Sequence, residues 1–336
     1  MRSLKYISII AVVIIVTLYI NRRLSPFYQF EGRIFGTYYH IKILTERTDP
    51  ALPAKVRQVL DKVNHQMSVF DNNSEISRIN RSQNTINLSP EMSYLLKIAS
   101  RINKESGGAF DPTVGKLVEL WGFGVNREQT IPQVAEIKNV LSYTGFDKLQ
   151  FSPDFKQLHK KDPRTFMNLS AIAKGYGTDR VAELLLAEGY RHFIVEIGGE
   201  IRVAGFRDGK SKPWGIGVAN PGSNGKNNQL TLDLSDIAVA TSGDYRNFHY
   251  QNGHKYAHTI SPQTGYPVES NLASVTVLAT RCIEADAYAT ALMSMGEKQA
   301  FQMAEKLNLA VIFIIRDPQG GFISRYSTAL KTSEGN

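Results

Sequence analysis

The sequence predicts an α+β globule with mixed, mainly antiparallel sheets flanked by helices, and three observations carry that prediction. Short segments with alternating apolar residues are separated by Gly, Pro and Asn turns. Other stretches repeat apolar residues at helical spacing behind recognisable caps. No repeat of fixed period and no clean linker divides the chain.

At 336 residues the chain exceeds the usual single-domain size, so one large domain with insertions and two intimately joined halves both fit. An apolar fraction of 42% with 21% charged residues is ordinary for a globular protein and excludes a disordered or fibrous chain. The net charge is +8, yet no Lys/Arg cluster with interleaved aromatics and no nucleic-acid module is present. Spread-out solvation charge is therefore the reading, with no nucleic acid as partner. A single cysteine, Cys282, excludes an intramolecular disulfide and every multi-cysteine metal or redox motif. At the start of a helix it reads as a small buried hydrophobe.

Taken in order, residues 6–20 are almost wholly apolar, preceded by Arg2 and Lys5 and followed by Asn21-Arg22-Arg23. This is a signal-type segment outside the fold, somewhat shorter than the roughly 20 residues that span a bilayer comfortably. No small-x-small cleavage site follows and no cysteine is available for lipidation. We read residues 1–24 as an uncleaved inner-membrane anchor and residues 25–336 as a body facing the periplasm.

Residues 30–44 read as a strand pair around Gly36-Thr37, with Tyr39, Ile41 and Ile43 on one face. Pro50 and Pro53 open a helix in which Val56, Leu60 and Val63 recur, ending near Met67. Ser89-Pro90 caps a second helix through Ile102, closed by Gly107-Gly108. Residues 132–142 read as a short helix, and the stretch up to Lys161 as a hairpin with Ser152-Pro153-Asp154 at its tip. Residues 165–170 read as a strand and 173–188 as a helix capped by Gly189. Residues 191–197 and 201–204 make strands joined by Gly198-Gly199, and 214–219, 230–234 and 237–241 add three more around the Gly/Asn-rich loop 220–228. The stretch His258-Thr-Ile-Ser-Pro-Gln-Thr-Gly-Tyr-Pro-Val268 and the apolar run after it read as strand, polar turn, strand, then a helix carrying Asp286 and Thr290. The apolar run 310–315 fits a central strand.

Absent motifs narrow the chemistry. There is no helical His-Glu-x-x-His and no phosphate-loop Gly-x4-Gly-Lys-Ser/Thr. Gly122-x-Gly124 and Gly215-x-Gly217 are followed by Arg127 and Asn220 where a dinucleotide fingerprint needs its third glycine. What remains is a dispersed set of turns and oxygen ligands. Asp286 and Thr290, four apart on one helix face, suit either a hard cation such as magnesium or plain helix-terminal and packing roles. Lys174, one turn into its helix beside Gly175 and Gly177, suits either an anion or solvent. His258 suits either a general base or a packed strand histidine, and Asp111, in an Asp-Pro turn, suits either the site or the turn itself.

Together the segments say more. Met67-Ser-Val-Phe-Asp71, Gly108-Ala-Phe-Asp-Pro-Thr113, Ser170-Ala-Ile-Ala-Lys-Gly-Tyr176, Glu196-Ile-Gly-Gly-Glu200, Thr241-Ser-Gly-Asp-Tyr245, His258-Thr-Ile-Ser-Pro-Gln-Thr-Gly265 and Ala285-Asp-Ala-Tyr-Ala-Thr290 resemble the ApbE family in order, across roughly residues 32–325. These are FAD:protein FMN transferases, also labelled thiamine biosynthesis lipoproteins. The resemblance implies an ApbE-like, T-fold-like architecture. It implies binding of FAD as substrate with Mg2+ and transfer of the FMN half to a Ser or Thr hydroxyl, releasing AMP. Acceptors would be membrane flavoprotein subunits of Nqr/Rnf-like oxidoreductases.

Carried over position by position, Asp286, Thr290 and the Ala171 carbonyl hold the metal. Phe35, Phe70, Ala109, Phe110, Asp111, Asn168, Lys174, Ser242, Gly243 and Ile260 line the FAD site. His258 is the candidate base, Asp111 its competitor, and Lys174 neutralises the pyrophosphate. Three positions depart from the family pattern: Asn168 and Ser261 stand where Asp is usual, and Phe35 where Met is common. Water in place of the acceptor would make the chain an FAD pyrophosphatase, and binding without turnover would make it a flavin-storage protein.

Overall fold

The computed structural model describes residues 27–124, 131–223, 228–245, 248–251 and 254–333. The segment read as an anchor, residues 1–24, lies outside the described residues, as do residues 224–227 of the 220–228 loop. Among the described residues no helix is long and apolar enough to cross a membrane.

Strands β1 (Phe27–Ile34) and β2 (Thr37–Leu44) form the expected pair. The chain reverses at Phe35 and Gly36, both at positive φ. Helix α1 (Leu52–Met67) buries Leu52, Val56, Leu60, Val63 and Met67 along one stripe. Each fully buried aliphatic there contributes about 1.5–3 kcal/mol. Helix α2 (Glu75–Arg81) is too short to show a period in the sequence; Ser74 caps it by accepting from Ser77 N at 3.0 Å. A short strand β3 (Ile86–Asn87) follows. Helix α3 (Pro90–Glu105) starts at the expected Ser89 cap, whose Oγ accepts from Met92 N at 3.1 Å. After α4 (Gly115–Leu120) and α5 (Val134–Ser142), strands β4 (Leu149–Phe151) and β5 (Gln157–Lys160) make the expected hairpin and join β3 in a small sheet.

Helix α6 (Ser170–Ala187) leads into β6 (Phe193–Ile197) and β7 (Glu200–Ala204). Then come the ribbon β8 (Trp214–Ala219) and β9 (Asn228–Leu234), β10 (Ala238–Gly243), and the hairpin β11 (Phe248–Gln251) and β12 (His254–Ala257). The chain closes with β13 (Leu272–Ala279), α7 (Cys282–Met295), α8 (Glu297–Lys306), β14 (Ala310–Arg316), β15 (Phe322–Tyr326) and α9 (Thr328–Ser333).

Eight strands form the main sheet in the order β1-β2-β6-β7-β10-β13-β14-β15, and each of its ladders is antiparallel. Along β14, Val311, Phe313 and Ile315 join the core built with α3 and α7. The alternate residues Ile312 and Ile314 join a second core with Val218, Leu232 and Leu330. Both faces are covered, which is why the 310–315 run is continuously apolar.

Two expectations are corrected. Residues 165–170 are not a strand: Phe166 makes a single bridge with Val114, and Ser170 already belongs to α6. Side chains take the backbone groups that a strand partner would use. Asn80 exchanges two 2.8 Å hydrogen bonds with the Met167 backbone, and Lys160 Nζ donates to the Thr165 carbonyl at 3.3 Å. His258 is not in a strand either, because β12 ends at Ala257. The loop after it is closed by an Ile260–Pro267 bridge and a 2.9 Å bond from Ser261 N to Tyr266 O.

Candidate active site

The site is organised where α6 meets α7. A Cβ on Gly175 would lie 2.5 Å from the Cys282 carbonyl oxygen and 2.8 Å from Asp286 Cβ, so only glycine admits α7 this closely. One turn on, the fully buried Asp179 accepts from Cys282 N and Ile283 N, both at 3.0 Å, and pairs with Arg202 at 2.7 Å. It satisfies two orphan amides at the start of α7 and fixes the register of the two helices. In that register Gly175 N donates to Asp286 Oδ2 at 2.9 Å. The partner of the Gly175 amide in a regular helix is the Ala171 carbonyl, so the Asp286 carboxylate sits over the turn that Ala171 begins.

Lys174 projects from the same turn. Its Nζ donates to Glu200 Oε1, and its stem passes the Gly198-Gly199 turn, where a Cβ on Gly198 would lie 3.2 Å from Lys174 Cδ. Burial opposes the Lys174 charge, but the Asp286 and Glu200 carboxylates outweigh it and hold the ammonium above the ordinary lysine range. Burial pushes both carboxyls up against the opposing pull of Lys174, and Glu200 reaches about 7. With both carboxyls ionised, two negative charges face one positive. Thr290 Oγ1 lies one turn beyond Asp286 and 3.4 Å from Ser242 Oγ at the end of β10, beside Gly243. Arg316 pairs with Asp244 and pins the chain just past that point.

A second wall is tied to α7 by Ser294 Oγ, which donates to the Ala109 carbonyl at 2.8 Å. Phe110 is buried in the main core, and its carbonyl accepts from Asn103 Nδ2 at 2.8 Å. Asp111 is committed to its turn: Oδ1 accepts from Thr113 N at 2.8 Å and Thr113 Oγ1 at 2.6 Å, and Oδ2 from Phe146 N at 2.9 Å. Burial pushes its pKa up against these donors. Asn168 N donates to the Pro112 carbonyl at 2.7 Å, joining this wall to α6. The Asn168 Oδ1 accepts from Ser170 N at 2.9 Å, the amide that opens α6. An amide oxygen serves that purpose as a carboxylate would, without the negative charge that a helix N-terminus favours.

Phe35 packs over Gly177, where a Cβ would lie 2.7 Å from its ring, whereas Phe70 is 66% exposed after α1. Ile260 is buried with Leu117, Trp121 and Ile137. Trp121 Nε1 donates to the Gly265 carbonyl at 2.8 Å, and Gln263 Nε2 to the Gly107 carbonyl at 3.4 Å, so the His258 loop borders the Ala109 wall. The His258 ring stands edge-on to Phe123. Ser261 Oγ accepts from Thr264 N at 3.2 Å and serves the bend of that loop. The structure thus brings together residues 107–113, 168–175, 258–268 and 286–294. The side chains of Phe110, Asp111 and Ile260 are turned to packing or turn formation.

Sequence reasoning assigned no role to Glu200, although it lies in a quoted motif. The signal was a carboxylate beginning a short, mostly apolar strand, which burial forces to find a partner. Asp179 and Asn80, which hold the helix register and the approach to α6, gave no comparable signal.

The donor set fits a hard divalent cation. It offers the Asp286 carboxylate and the Thr290 hydroxyl, one turn apart on α7, with the Ala171 carbonyl on the α6 turn that Asp286 faces. Among the described residues no cluster of three or more His, Cys, Asp or Glu side chains could hold a metal ion. A partial protein shell, completed by water and phosphate oxygens, is the kind that magnesium accepts.

The ApbE family profile matches residues 35–313. The FAD:protein FMN transferase of Haemophilus influenzae is 38% identical over 335 residues, 96% of this chain and 96% of that protein. The structure of Flavin Transferase ApbE from Vibrio cholerae, 37% identical, superposes with a TM-score of 0.83 over 91% of this chain and 99% of its own. That of Pseudomonas stutzeri flavinyl transferase ApbE in its apo form, 30% identical, gives 0.83 over 92% and 97%. On the matched profile, the shared sequence and the shared architecture, this chain belongs to the ApbE family.

Proposed function

We propose that this chain transfers the FMN half of FAD to a Ser or Thr hydroxyl of a target flavoprotein in a magnesium-dependent reaction that releases AMP. Family membership and the relatives' name, FAD:protein FMN transferase, support FAD as substrate and a protein as acceptor. The observation that supports the chemistry is the Gly175–Asp286 contact, which sets the Asp286 carboxylate against the α6 turn that carries Lys174. Magnesium held by Asp286, Thr290 and the Ala171 carbonyl would supply charge neutralisation at the pyrophosphate.

Lys174, kept charged by Asp286 and Glu200, binds the pyrophosphate anion. Phe70 and Phe35 offer aromatic surface to the isoalloxazine, the Ala109 and Phe110 backbone borders it, and Asn168 offers an amide to the adenosine half. Ser242 and Gly243 close the wall beside Thr290. His258 accepts the proton of the acceptor hydroxyl as its oxygen attacks the FMN-side phosphorus. The bond from that phosphorus to the bridging oxygen breaks, and AMP leaves with the bridging oxygen. His258 is favoured over Asp111 because both Asp111 oxygens are committed to Thr113 and Phe146.

Membrane flavoprotein subunits of Nqr/Rnf-like oxidoreductases are the proposed acceptors, met by a body anchored through residues 1–24 on the periplasmic side of the inner membrane. Protease accessibility of the body in spheroplasts tests that orientation. Chromatography of the full chain with FAD and magnesium, with and without a Thr-containing acceptor, tests the reaction. The expected result is AMP release that requires the acceptor. Equal AMP and free FMN without acceptor would make the chain an FAD pyrophosphatase, and bound FAD with no AMP a storage protein.

A further inference from the structure

Glu200 is 1% exposed at the first position of β7. Its backbone is fixed by pairing with Ile197 across the Gly198-Gly199 turn, so its side chain is delivered to one place beneath α6. Oε1 accepts from Lys174 Nζ, while Oε2 is buried without a hydrogen-bond partner. An unpaired carboxylate oxygen in such a place is costly unless something else arrives to meet it. Asp286 is likewise tied to the protein through one oxygen. Its Oδ2 is held by Gly175 N, and its negative charge acts on Glu200 as Lys174 acts on both. Each carboxylate therefore has one oxygen tied to the protein, and the pair shares a single ammonium. A cation at Asp286 restores the missing positive charge, and the water that such an ion keeps supplies the missing donor.

We propose that Glu200 is a positioning residue of this site, holding the Lys174 ammonium with Oε1 and accepting a hydrogen bond through Oε2 from a water molecule on the bound divalent cation. The inference rests on the flavin-transferase reading only in taking a divalent cation at Asp286, Thr290 and Ala171. Glu200 touches neither FAD nor the ion; it acts through Lys174 and through that water. Ionised and hydrogen-bonded in this way, it would hold the lysine in place and orient a water of the bound ion.

The test uses the full chain and Mn2+ as probe, with free Mn2+ followed by electron paramagnetic resonance in the absence of FAD. Glu200→Gln is expected to weaken Mn2+ binding about 10-fold or more. Glu200→Asp, which keeps the charge, is expected to bind within about threefold of the unaltered chain, and it also serves if the Gln variant does not fold. A role confined to folding would lower the melting temperature of Glu200→Gln and leave its Mn2+ affinity within twofold, and that result overturns the proposal. So does an Asp variant as impaired as the Gln variant, or an unaltered chain that binds no Mn2+. An unaltered chain that binds Mn2+, loses it in Glu200→Gln and yet transfers no FMN sinks the transferase reading while supporting this one.

Discussion

The Gly175 amide lies 2.9 Å from Asp286 Oδ2, and a Cβ on Gly175 would fall 2.5 Å from the Cys282 carbonyl oxygen. Backbone meets carboxylate with no room for a side chain between them. Gly175→Ala is therefore expected to lower stability by about 1–3 kcal/mol. Forcing α7 away from α6 should also abolish magnesium-dependent AMP release. Urea unfolding and an AMP assay on the same preparation check both, and a variant with unchanged stability would contradict the packing described.

Asp286→Asn keeps an oxygen for Gly175 and removes the charge. Burial already opposes that charge, so the metal-free variant is expected to be at least as stable as the unaltered chain at pH 8. Magnesium-dependent AMP release is expected to fall at least about 100-fold. Unchanged release would remove Asp286 from the metal site.

Burial raises the Glu200 carboxyl from 4.5 to about 7. Its folded value lies above its unfolded one, so the native state holds the proton more tightly. The resulting stability is fully present below about pH 4.5 and is lost as pH rises through 7, a change on the order of 3 kcal/mol. Urea unfolding of the metal-free chain at pH 5 and pH 8, beside Glu200→Gln, isolates this contribution. The variant should lose less stability across that range; an equal loss would mean that Glu200 does not titrate there.

His258 and Asp111 are separated by what each removal disturbs. His258→Ala is expected to slow transfer by about 100-fold or more. Asp111→Asn turns an amide group toward Phe146 N or Thr113 and is expected to cost about 1–3 kcal/mol of stability. Where it remains folded, its transfer rate should stay within about 10-fold of the unaltered chain. Turnover and thermal melts on both variants decide the matter, and full transfer by His258→Ala would refute the assignment of the base.

Phe70 is 66% exposed, so Phe70→Ala should leave the melting temperature unchanged. Loss of aromatic contact with the flavin should weaken FAD binding about 3–10-fold, measured by flavin fluorescence. A drop in stability with unchanged affinity would show that Phe70 packs against the protein.

The elements with strong local signals were legible in the sequence. Ser89 at the head of α3, the apolar stripe of α1 and the doubly buried β14 needed only caps and periodicity. Residues 165–170 misled because their short apolar run of Phe166, Met167 and Leu169 reads as a strand, while Asn80 and Lys160, distant in sequence, hold their backbone groups. The turn after Ala257 misled for a related reason, its pairing being confined to one bridge. At the site, Asp286, Thr290 and Lys174 could be named from their spacing and the family resemblance. Glu200, though it heads an apolar strand, was not named, because its importance lies in a contact with Lys174 across two elements and in an oxygen left unpaired.

The central claim is tested most directly by the intact mass of an acceptor flavoprotein incubated with the full chain, FAD and magnesium. The account predicts a gain of one FMN unit on a Ser or Thr, with one AMP released per acceptor modified. AMP released without a gain in acceptor mass, or no AMP at all, would contradict it.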